Sequence, residues 1–298
     1  MSTTIAIPTY NRGAILVATI ERLLALTPRA SEIVIVDQTL SHDAAVTSKL
    51  EAWSRDGTIR WIRLTEPSIP HAMNEALTTA TSELVLFLDD DVEPSSAIVA
   101  EHEQAHEPAN IWAVVGQILQ PGEKPHHHLQ PEDDLEFHFN HDEARDVANV
   151  MAGNLSVKRE RALSIGGFDE NFVGVAYRFE TDFAVRAVAA GGRIRFEPRA
   201  SLRHLKLSTG GLRAFGDHRT SISPAHAVGD YYFALRHRRD RFWRYAATRL
   251  MKNVATKYHL RHPWTIPTKL IGETRAIALA RRLARGAPRL IKTASSGG

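Results

Sequence analysis

Cysteine is absent from this chain of 298 residues, which excludes disulfide bonds, thiolate catalysis and cysteine-ligated zinc. Long apolar runs are absent too, since no segment approaches the ~20 apolar residues that a membrane-spanning helix requires. The opening residues, MSTTIAIPTYNR, lack the basic and apolar regions of a signal peptide. We therefore expect neither secretion by that route nor a membrane span, and these absences fit a cytoplasmic location.

Charge is distributed unevenly although the net charge is only +3. Residues 1–204 contain 18 basic and 30 acidic side chains, whereas residues 205–298 contain 19 and 4, so the two parts carry −12 and +15. This change predicts a boundary between residues 1–205 and a basic extension over 206–298. A basic extension indicates contact with an anionic membrane or another polyanion. Nucleic acid is not expected, because no recognised binding motif accompanies the charge.

Apolar strands alternate with amphipathic helices through the first part of the chain. The strand candidates are TTIAIPTY, EIVIVDQT, TIRWIRL, ELVLFL and residues 111–120, and helices are predicted over about 11–26, 42–54 and 70–80. Such alternation is typical of an α/β fold with a mainly parallel sheet, in which ligands bind at the carboxyl ends of the strands.

Three adjacent carboxylates, Asp89 to Asp91, follow the buried strand LVLFL, and Asp37 ends another strand. Like charges this close need a cation, hydrogen-bond donors or free solvent. One alternative is that they cap the next helix, because Asp favours caps and Pro94 suits a first turn. Two acidic strand ends at one edge of a sheet favour a metal or nucleotide site instead.

A polar segment from Pro121 to about Asp146 is rich in histidine and acidic residues. Its histidines match no structural zinc spacing, so we do not expect a zinc site there. We predict a loop near the active site that closes over the substrate.

Several motifs in order carry a resemblance to a known family. They are IAIPTYNR, IVIVDQT, LFLDDDVEP, GGFDE, ETDFAVR and AGGRIRFEP, followed by His204. In this order they resemble glycosyltransferase family 2, enzymes that transfer sugars from nucleotide-sugar donors, over about residues 3–205. The resemblance implies a GT-A fold, a Rossmann-like αβα sandwich, with the catalytic domain in residues 1–205 and a basic, mostly helical extension in 206–298.

The resemblance also implies a donor site with Mg²⁺ or Mn²⁺. LFLDDDVEP corresponds to the family's DxD motif, so Asp91 and Asp89, assisted by His204, would hold the metal, and Asp89 and Asp90 would border the donor. Oxygen ligands suit such hard cations. The other donor-binding residues that the resemblance implies are Pro8, Thr9, Tyr10, Arg12, Asp37, Asn74, Gly153 and Asn154.

Inverting relatives place a carboxylate where it removes the proton of the acceptor hydroxyl. Glu180 occupies this position by its spacing to Arg186, and Asp182 is the competing candidate, with a helix cap or a salt bridge to Arg186 as its other explanation. By resemblance, Asp169 and Glu170 in GGFDE lie near the acceptor.

The motif QxxRW and the membrane helices of processive synthases are both missing. The resemblance therefore implies transfer of a single hexosyl or deoxyhexosyl group to a glycan or lipid-linked hydroxyl, as in cell-surface polysaccharide or glycolipid assembly. One alternative is a nucleotidyltransferase, although IPTYNRG is a poor match to the phosphate-binding loop of such enzymes. Another is a phosphohydrolase of the haloacid-dehalogenase type, although Glu93 occupies the position where those enzymes need Thr or Val. A non-catalytic sugar-nucleotide-binding relative is a further alternative, because Met73 and Phe179 depart from the family pattern. The basic extension interleaves aromatic or aliphatic residues with Arg and Lys, as interfacial helices do.

Overall fold

A computed structural model describes residues 1–127, 138–206, 211, 217 and 219–292. The strands are β1 (Thr3–Thr9), β2 (Glu32–Asp37), β3 (Arg60–Arg63), β4 (Leu84–Leu88), β5 (Val92–Pro94), β6 (Ile111–Leu119), β7 (Arg145–Val147), β8 (Asn154–Lys158) and β9 (Arg193–His204). The helices are α1 (Gly13–Leu24), α2 (Ala44–Arg55), α3 (Ile69–Thr79), α4 (Ile98–Ala105), α5 (Arg159–Ser164), α6 (Phe179–Ala189), α7 (Val228–His237), α8 (Phe242–Val254), α9 (Lys257–Arg261) and α10 (Ile266–Ala284).

In the described residues the strands form one mixed, mostly parallel sheet in the order β3-β2-β1-β4-β8-β6-β9-β5, and β7 pairs with β9. Strands β1 to β4 are parallel to one another where they pair, as are β6 and β9. Strand β8 runs antiparallel between β4 and β6, with Asn154 opposite Leu88. This register brings the residues just before β8 to the carboxyl end of β4, where the aspartates follow.

Two hydrophobic cores cover the two faces of the sheet, because successive side chains of a strand point to opposite sides. Ile5 and Ile7 of β1 join the core beneath α1, α2 and α4, whereas Ala6 joins the core beneath α3 and α6. The result is the αβα sandwich predicted from the alternation of strands and helices.

Helices of the basic extension share the second core. Tyr231 and Phe233 of α7 and Ala276 of α10 belong to the same buried cluster as Phe168 and Phe172 of the first part. The boundary after residue 205 stays a prediction, and this cluster crosses it. No helix in the described ranges is long and apolar enough to cross a bilayer.

A segment over residues 287–291 pairs with the GGFDE region across more than 115 positions of the chain. The amide of Ile291 donates to the carbonyl of Gly166 (2.8 Å), and the amide of Glu170 donates to the carbonyl of Arg289 (3.0 Å). The Asp169 carboxylate accepts from the Arg289 amide (2.8 Å) and from the Tyr232 hydroxyl (2.7 Å). The basic extension thus supports the loop that follows α5.

Two short strands differ from the sequence predictions. The aspartates do not cap a helix, because β5 follows them and α4 begins only at Ile98. Pro94 is compatible with β5 because that strand lies at the edge of the sheet. Strand β7 lies in and just beyond the predicted loop of 121–146, and three residues are too few for an alternating pattern to show; residues 128–137 of that loop lie outside the described part.

We expect Tyr232→Phe to lower the free energy of unfolding by about 1 to 3 kcal/mol, because the buried Asp169 loses a hydrogen-bond donor. Urea denaturation of the full chain measures this change. Tyr258→Phe is the control, since it removes the same hydroxyl from a partly exposed site where no described residue bonds to it. Equal effects of the two changes would contradict the structural role of the Tyr232 hydroxyl.

Candidate active site

A cavity of about 680 Å³ opens at the carboxyl ends of β1 and β4. Its position agrees with the expectation that ligands of such sheets bind at this edge. The lining residues are Pro8, Thr9, Tyr10, Arg12, Gln38, Pro67, Ser68, Ile69, Met73, Leu88, Asp89, Asp90, Asp91, Ala152, Gly174, His204 and Gly211. The cavity therefore joins four of the predicted donor residues from the first motif to all three aspartates.

The three aspartates point to different partners. Asp90 is buried, and it accepts from the Thr9 hydroxyl (2.7 Å) and pairs with Nε of Arg12 (3.1 Å). Burial raises the pKa of Asp90 to about 7. Asp91 is also buried and divides its oxygens between Arg12 (3.3 Å) and His204 (3.2 Å), whereas the Asp89 side chain is half exposed.

Asp89, Asp91 and His204 form a candidate metal centre. One ligand atom from each lies within 4.8 Å of the other two. Nε2 of His204 faces the carboxylates and donates to Asp91 (3.2 Å), since its Nδ1 accepts from the amide of Lys206 (3.0 Å), and the bond to Asp91 raises the pKa of His204. A cation at Nε2 would require the ring proton to move to Nδ1 and the bond from Lys206 to break. Two carboxylates and an imidazole are donors that a divalent cation such as Mn²⁺ accepts, so the residues fit the predicted metal.

Gly153 lets the segment just before β8 pass close to Asp89. A Cβ at this position would lie 2.6 Å from the Asp89 carboxylate, so any larger residue would displace that carboxylate. The contact of Gly153 with the donor stays a prediction.

Glu180 lies in the first turn of α6 and adjoins the cavity through Ala152. Its Oε1 accepts from the Ala152 amide at 2.5 Å, and no described residue bonds to Oε2. Burial, with a smaller contribution from the negative charge of Asp89, raises the pKa of Glu180 to about 7. A carboxylate with this pKa and one open oxygen can accept a proton near neutral pH.

Asp182, the competing candidate, faces the basic extension instead. Its two oxygens are occupied by Arg186 (2.8 Å) and by His237 of α7 (2.7 Å). Burial alone would raise the pKa of Asp182, but these partners hold that pKa below its usual value. Asp182 is therefore a stable anion that joins α6 to α7, and this arrangement favours Glu180 as the base.

Four residues predicted to bind the donor do not line the cavity: Gly153, described above, and Asp37, Asn74 and Asn154. The buried Asp37 carboxylate bonds to His42 (2.6 Å), Trp61 (3.0 Å) and the amide of Thr39 (2.9 Å). Asn74 and Asn154 are likewise buried. Asn74 bonds to both backbone groups of Phe168, and Asn154 contacts His102 together with the carbonyls of Gln117 and Ala200. Their donor contacts stay predictions, and in the structure their polar atoms connect elements of the fold.

Asp169 and Glu170, which were predicted to lie near the acceptor, both bond to other residues of this chain. Asp169 is buried between α7 and the segment 287–291, as described above. Glu170 accepts from Asn74 (3.0 Å) and contacts His71 (3.1 Å) and Arg289 (3.3 Å). Neither lines the cavity, so their acceptor role stays a prediction.

Comparison with models of known protein families shows to which family the chain belongs. The family model described as "Glycosyl transferase family 2" matches residues 4–160. This chain belongs to glycosyltransferase family 2. The match ends before α6, so family membership does not itself assign the base.

Solved structures support the GT-A fold of this family 2 chain. The mannosyltransferase PcManGT from Pyrobaculum calidifontis, in complex with GDP-Man and Mn²⁺, has a TM-score of 0.56 at 19% identity, over 95% of this chain and 79% of its own. S. aureus TarS with UDP-GlcNAc has a TM-score of 0.57 at 14% identity, over 91% and 72%. GalNAc-T7 with UDP, GalNAc and Mn²⁺ scores 0.55 at 14% identity, over 69% of this chain and only 44% of its own. No curated protein matches the chain.

Some functional features of the family 2 chain were missed by sequence reasoning. Ala152, which orients Glu180 through its amide, has no side-chain signature. Gln38 accepts from the amide of Ser68 (2.5 Å) at the cavity edge, and its place directly after Asp37 was the available signal. His237 contacts Asp182 from a helix 55 residues further along, a distance over which one sequence gives no pairing information.

Replacing Asp91 by Asn should weaken Mn²⁺ binding at least about 10-fold, the lower range seen when groups of a metal site are altered. The reason is that Asp91 contributes a buried carboxylate to the candidate centre. Titration followed by electron paramagnetic resonance of free Mn²⁺ measures this affinity. Glu93→Gln, which removes an exposed carboxylate two residues away, should leave it unchanged; similar losses in both variants would argue against the centre.

Proposed function

We propose that this protein is a metal-dependent inverting glycosyltransferase that moves one sugar from a nucleotide-diphosphate sugar to a hydroxyl acceptor. The observation that carries the proposal is the position of Glu180, with one oxygen fixed by Ala152 and the other open, beside a cavity that contains the candidate metal centre. Donor, metal and base would then meet at one edge of the sheet.

The cavity would take the donor. Pro8, Thr9 and Tyr10 form its wall at the end of β1, and Met73 adds an apolar surface from α3. Arg12, the cation of the first motif, lies beside the aspartates and would contribute to neutralising the diphosphate. PcManGT with GDP-Man and TarS with UDP-GlcNAc show that this fold accommodates nucleotide sugars, which supports the donor class without identifying the sugar.

Asp89, Asp91 and His204 would hold Mg²⁺ or Mn²⁺. When bound, such a cation acts as a Lewis acid on the departing diphosphate. Mn²⁺ is present in the PcManGT and GalNAc-T7 structures, which supports its choice here.

Glu180 would remove the proton of the acceptor hydroxyl at Oε2 while the hydroxyl oxygen attacks the anomeric carbon. The bond from that carbon to the diphosphate oxygen breaks in the same displacement, so the anomeric configuration inverts. The Ala152 amide orients the carboxylate by its bond to Oε1. The bonds of Asp182 to Arg186 and His237 occupy both of its oxygens and support Glu180 for this task.

Peripheral contact with an anionic membrane is part of the proposal. The basic extension exposes large apolar side chains, among them Trp243, Met251, Leu260 and Trp264, between its many cations. This combination is typical of helices that lie on a lipid surface. It fits a glycan or lipid-linked acceptor in cell-surface polysaccharide or glycolipid assembly.

Of the alternatives, the nucleotidyltransferase and the phosphohydrolase lose support because the chain belongs to family 2. The non-catalytic alternative is separated by a transfer assay. Screening UDP, GDP, dTDP and CDP sugars with Mn²⁺ by thermal shift would first identify the donor.

Replacing Glu180 by Gln should lower transfer at least about 100-fold, the usual effect of losing a general base, with donor affinity nearly unchanged. The amide keeps the size of the side chain but does not accept the proton. Single-turnover transfer of radiolabelled sugar measures the rate. Asp182→Asn is the matched control: it should lower the melting temperature, since it weakens two ionic contacts, and cost less in transfer per folded molecule. The reverse ranking would assign the base to Asp182.

The pH dependence of transfer should report the raised pKa of Glu180. Because the base must be deprotonated, kcat/KM should rise about 10-fold per pH unit below pH 7 and level off above it. Asp90 titrates in the same range, so the residual activity of Glu180→Gln is the control and should lack this rise. An unchanged slope in that variant would assign the titration to another group.

A further inference from the structure

A second cavity, of about 490 Å³, lies between α6, α7 and α8. We call it the basic cavity, because its walls contain six cationic side chains and one carboxylate, Asp230. The cations are Arg178, Arg238, Arg241, Arg244, Arg249 and Lys252. Nothing in the donor site uses these residues.

Asp230 does not neutralise the whole basic cavity. It is buried and is bound by Arg178 (3.3 Å), by Arg249 and by the Tyr245 hydroxyl. Two of the six cations are thereby held in place. In the described part of the chain, Arg238 and Arg244 have no acidic partner, and both side chains reach the cavity wall. Arg249 also pairs with Glu273 (3.5 Å), and Arg241 pairs with the exposed Asp240 (3.4 Å). The positive charge available to an anion is therefore chiefly that of Arg238 and Arg244.

The arginines indicate which class of anion the basic cavity would bind. A guanidinium presents two parallel N–H donors that match phosphate oxygens, and it is less strongly hydrated than an ammonium group. Several arginines around one cavity exceed the charge that a single carboxylate needs and match a diphosphate. The tyrosines Tyr177 and Tyr245 add rings and hydroxyls at the rim.

Residues of the basic cavity are close in sequence to residues of the reaction centre. Gly174 lines the donor cavity and Arg178, four positions later, lines the basic cavity. Even a fully extended chain spans no more than about 14 Å over this distance. Glu180 follows Arg178 by two residues, in the first turn of α6.

We infer that the basic cavity binds the diphosphate of the acceptor, so that the acceptor is a sugar carried on a diphosphate group. This inference rests on the proposed function, since it names the substrate class that meets Glu180. Anchoring the diphosphate beside α6 would hold the acceptor hydroxyl near the base and reduce the entropy lost in the reaction.

Titration calorimetry of the full chain with inorganic pyrophosphate, in EDTA, tests the site without any transfer. We expect binding, and we expect the double variant Arg238→Ala/Arg244→Ala to weaken it at least about 10-fold, since bonds between ionised groups are lost. Arg282→Ala/Arg285→Ala is the matched control, because it removes the same charge from exposed positions of the extension outside the cavity. Arg12→Ala controls for pyrophosphate in the donor cavity, because Arg12 is a cation of that cavity and EDTA removes any metal.

Equal weakening in both double variants would overturn the inference, because general charge would explain the binding. Weakening by Arg12→Ala alone would assign the pyrophosphate to the donor cavity and also overturn the inference. Vesicles of phosphatidylserine test a membrane headgroup as the source of phosphate. A cavity variant that loses vesicle binding but keeps pyrophosphate binding would contradict the acceptor assignment.

Failure of the proposed function is detected separately on the same proteins by Mn²⁺-dependent binding of UDP and GDP. If those nucleotides do not bind while pyrophosphate binds in the basic cavity, the donor proposal fails and the anion site stands. If nucleotides bind and pyrophosphate does not, the diphosphate acceptor is wrong and the donor proposal stands.

Discussion

Repulsion among the three carboxylates after β4 is the constraint on which the organisation of the site depends. Arg12 provides positive charge from the start of α1, and His204 provides a nitrogen from the end of β9. Thr9 donates from the end of β1 to Asp90. Three separate strands must therefore be in register before this cluster is stable, and the same register forms the floor of the cavity.

Helical geometry separates two acids that are only two positions apart. At about 100° per residue, Glu180 and Asp182 project from α6 about 200° apart. One therefore adjoins Ala152 and the cavity, and the other joins His237 of α7. Their opposite pKa shifts follow from surroundings rather than from residue type, because a single backbone amide compensates burial less than Arg186 and His237 together do.

Strands β1, β2, β4 and β6 and helices α1 to α3 could be predicted because apolar periodicity extends over five or more residues in each. The aspartates and His204 could be predicted because a motif keeps them at strand ends, where parallel topology brings them together. Short strands such as β5 leave no periodic signal. The structural roles of Asn74, Asn154 and Asp169 could not be predicted. The sequence of a motif does not show whether its polar side chain bonds to a ligand or to another buried group of the protein. Contacts that residues of the basic extension make with the first part of the chain leave no pattern in the local sequence from which they could be predicted.

The pairing of residues 287–291 with the GGFDE region has a consequence for biosynthesis. About 120 residues separate Asp169 from Arg289. At roughly 5 to 20 residues per second, the ribosome needs about 6 to 24 s to cover that interval. During this time Phe168 and Phe172 have been made while the helices that bury them have not. The nascent chain thus passes through a long interval with an incomplete core, which is when a chaperone would encounter it.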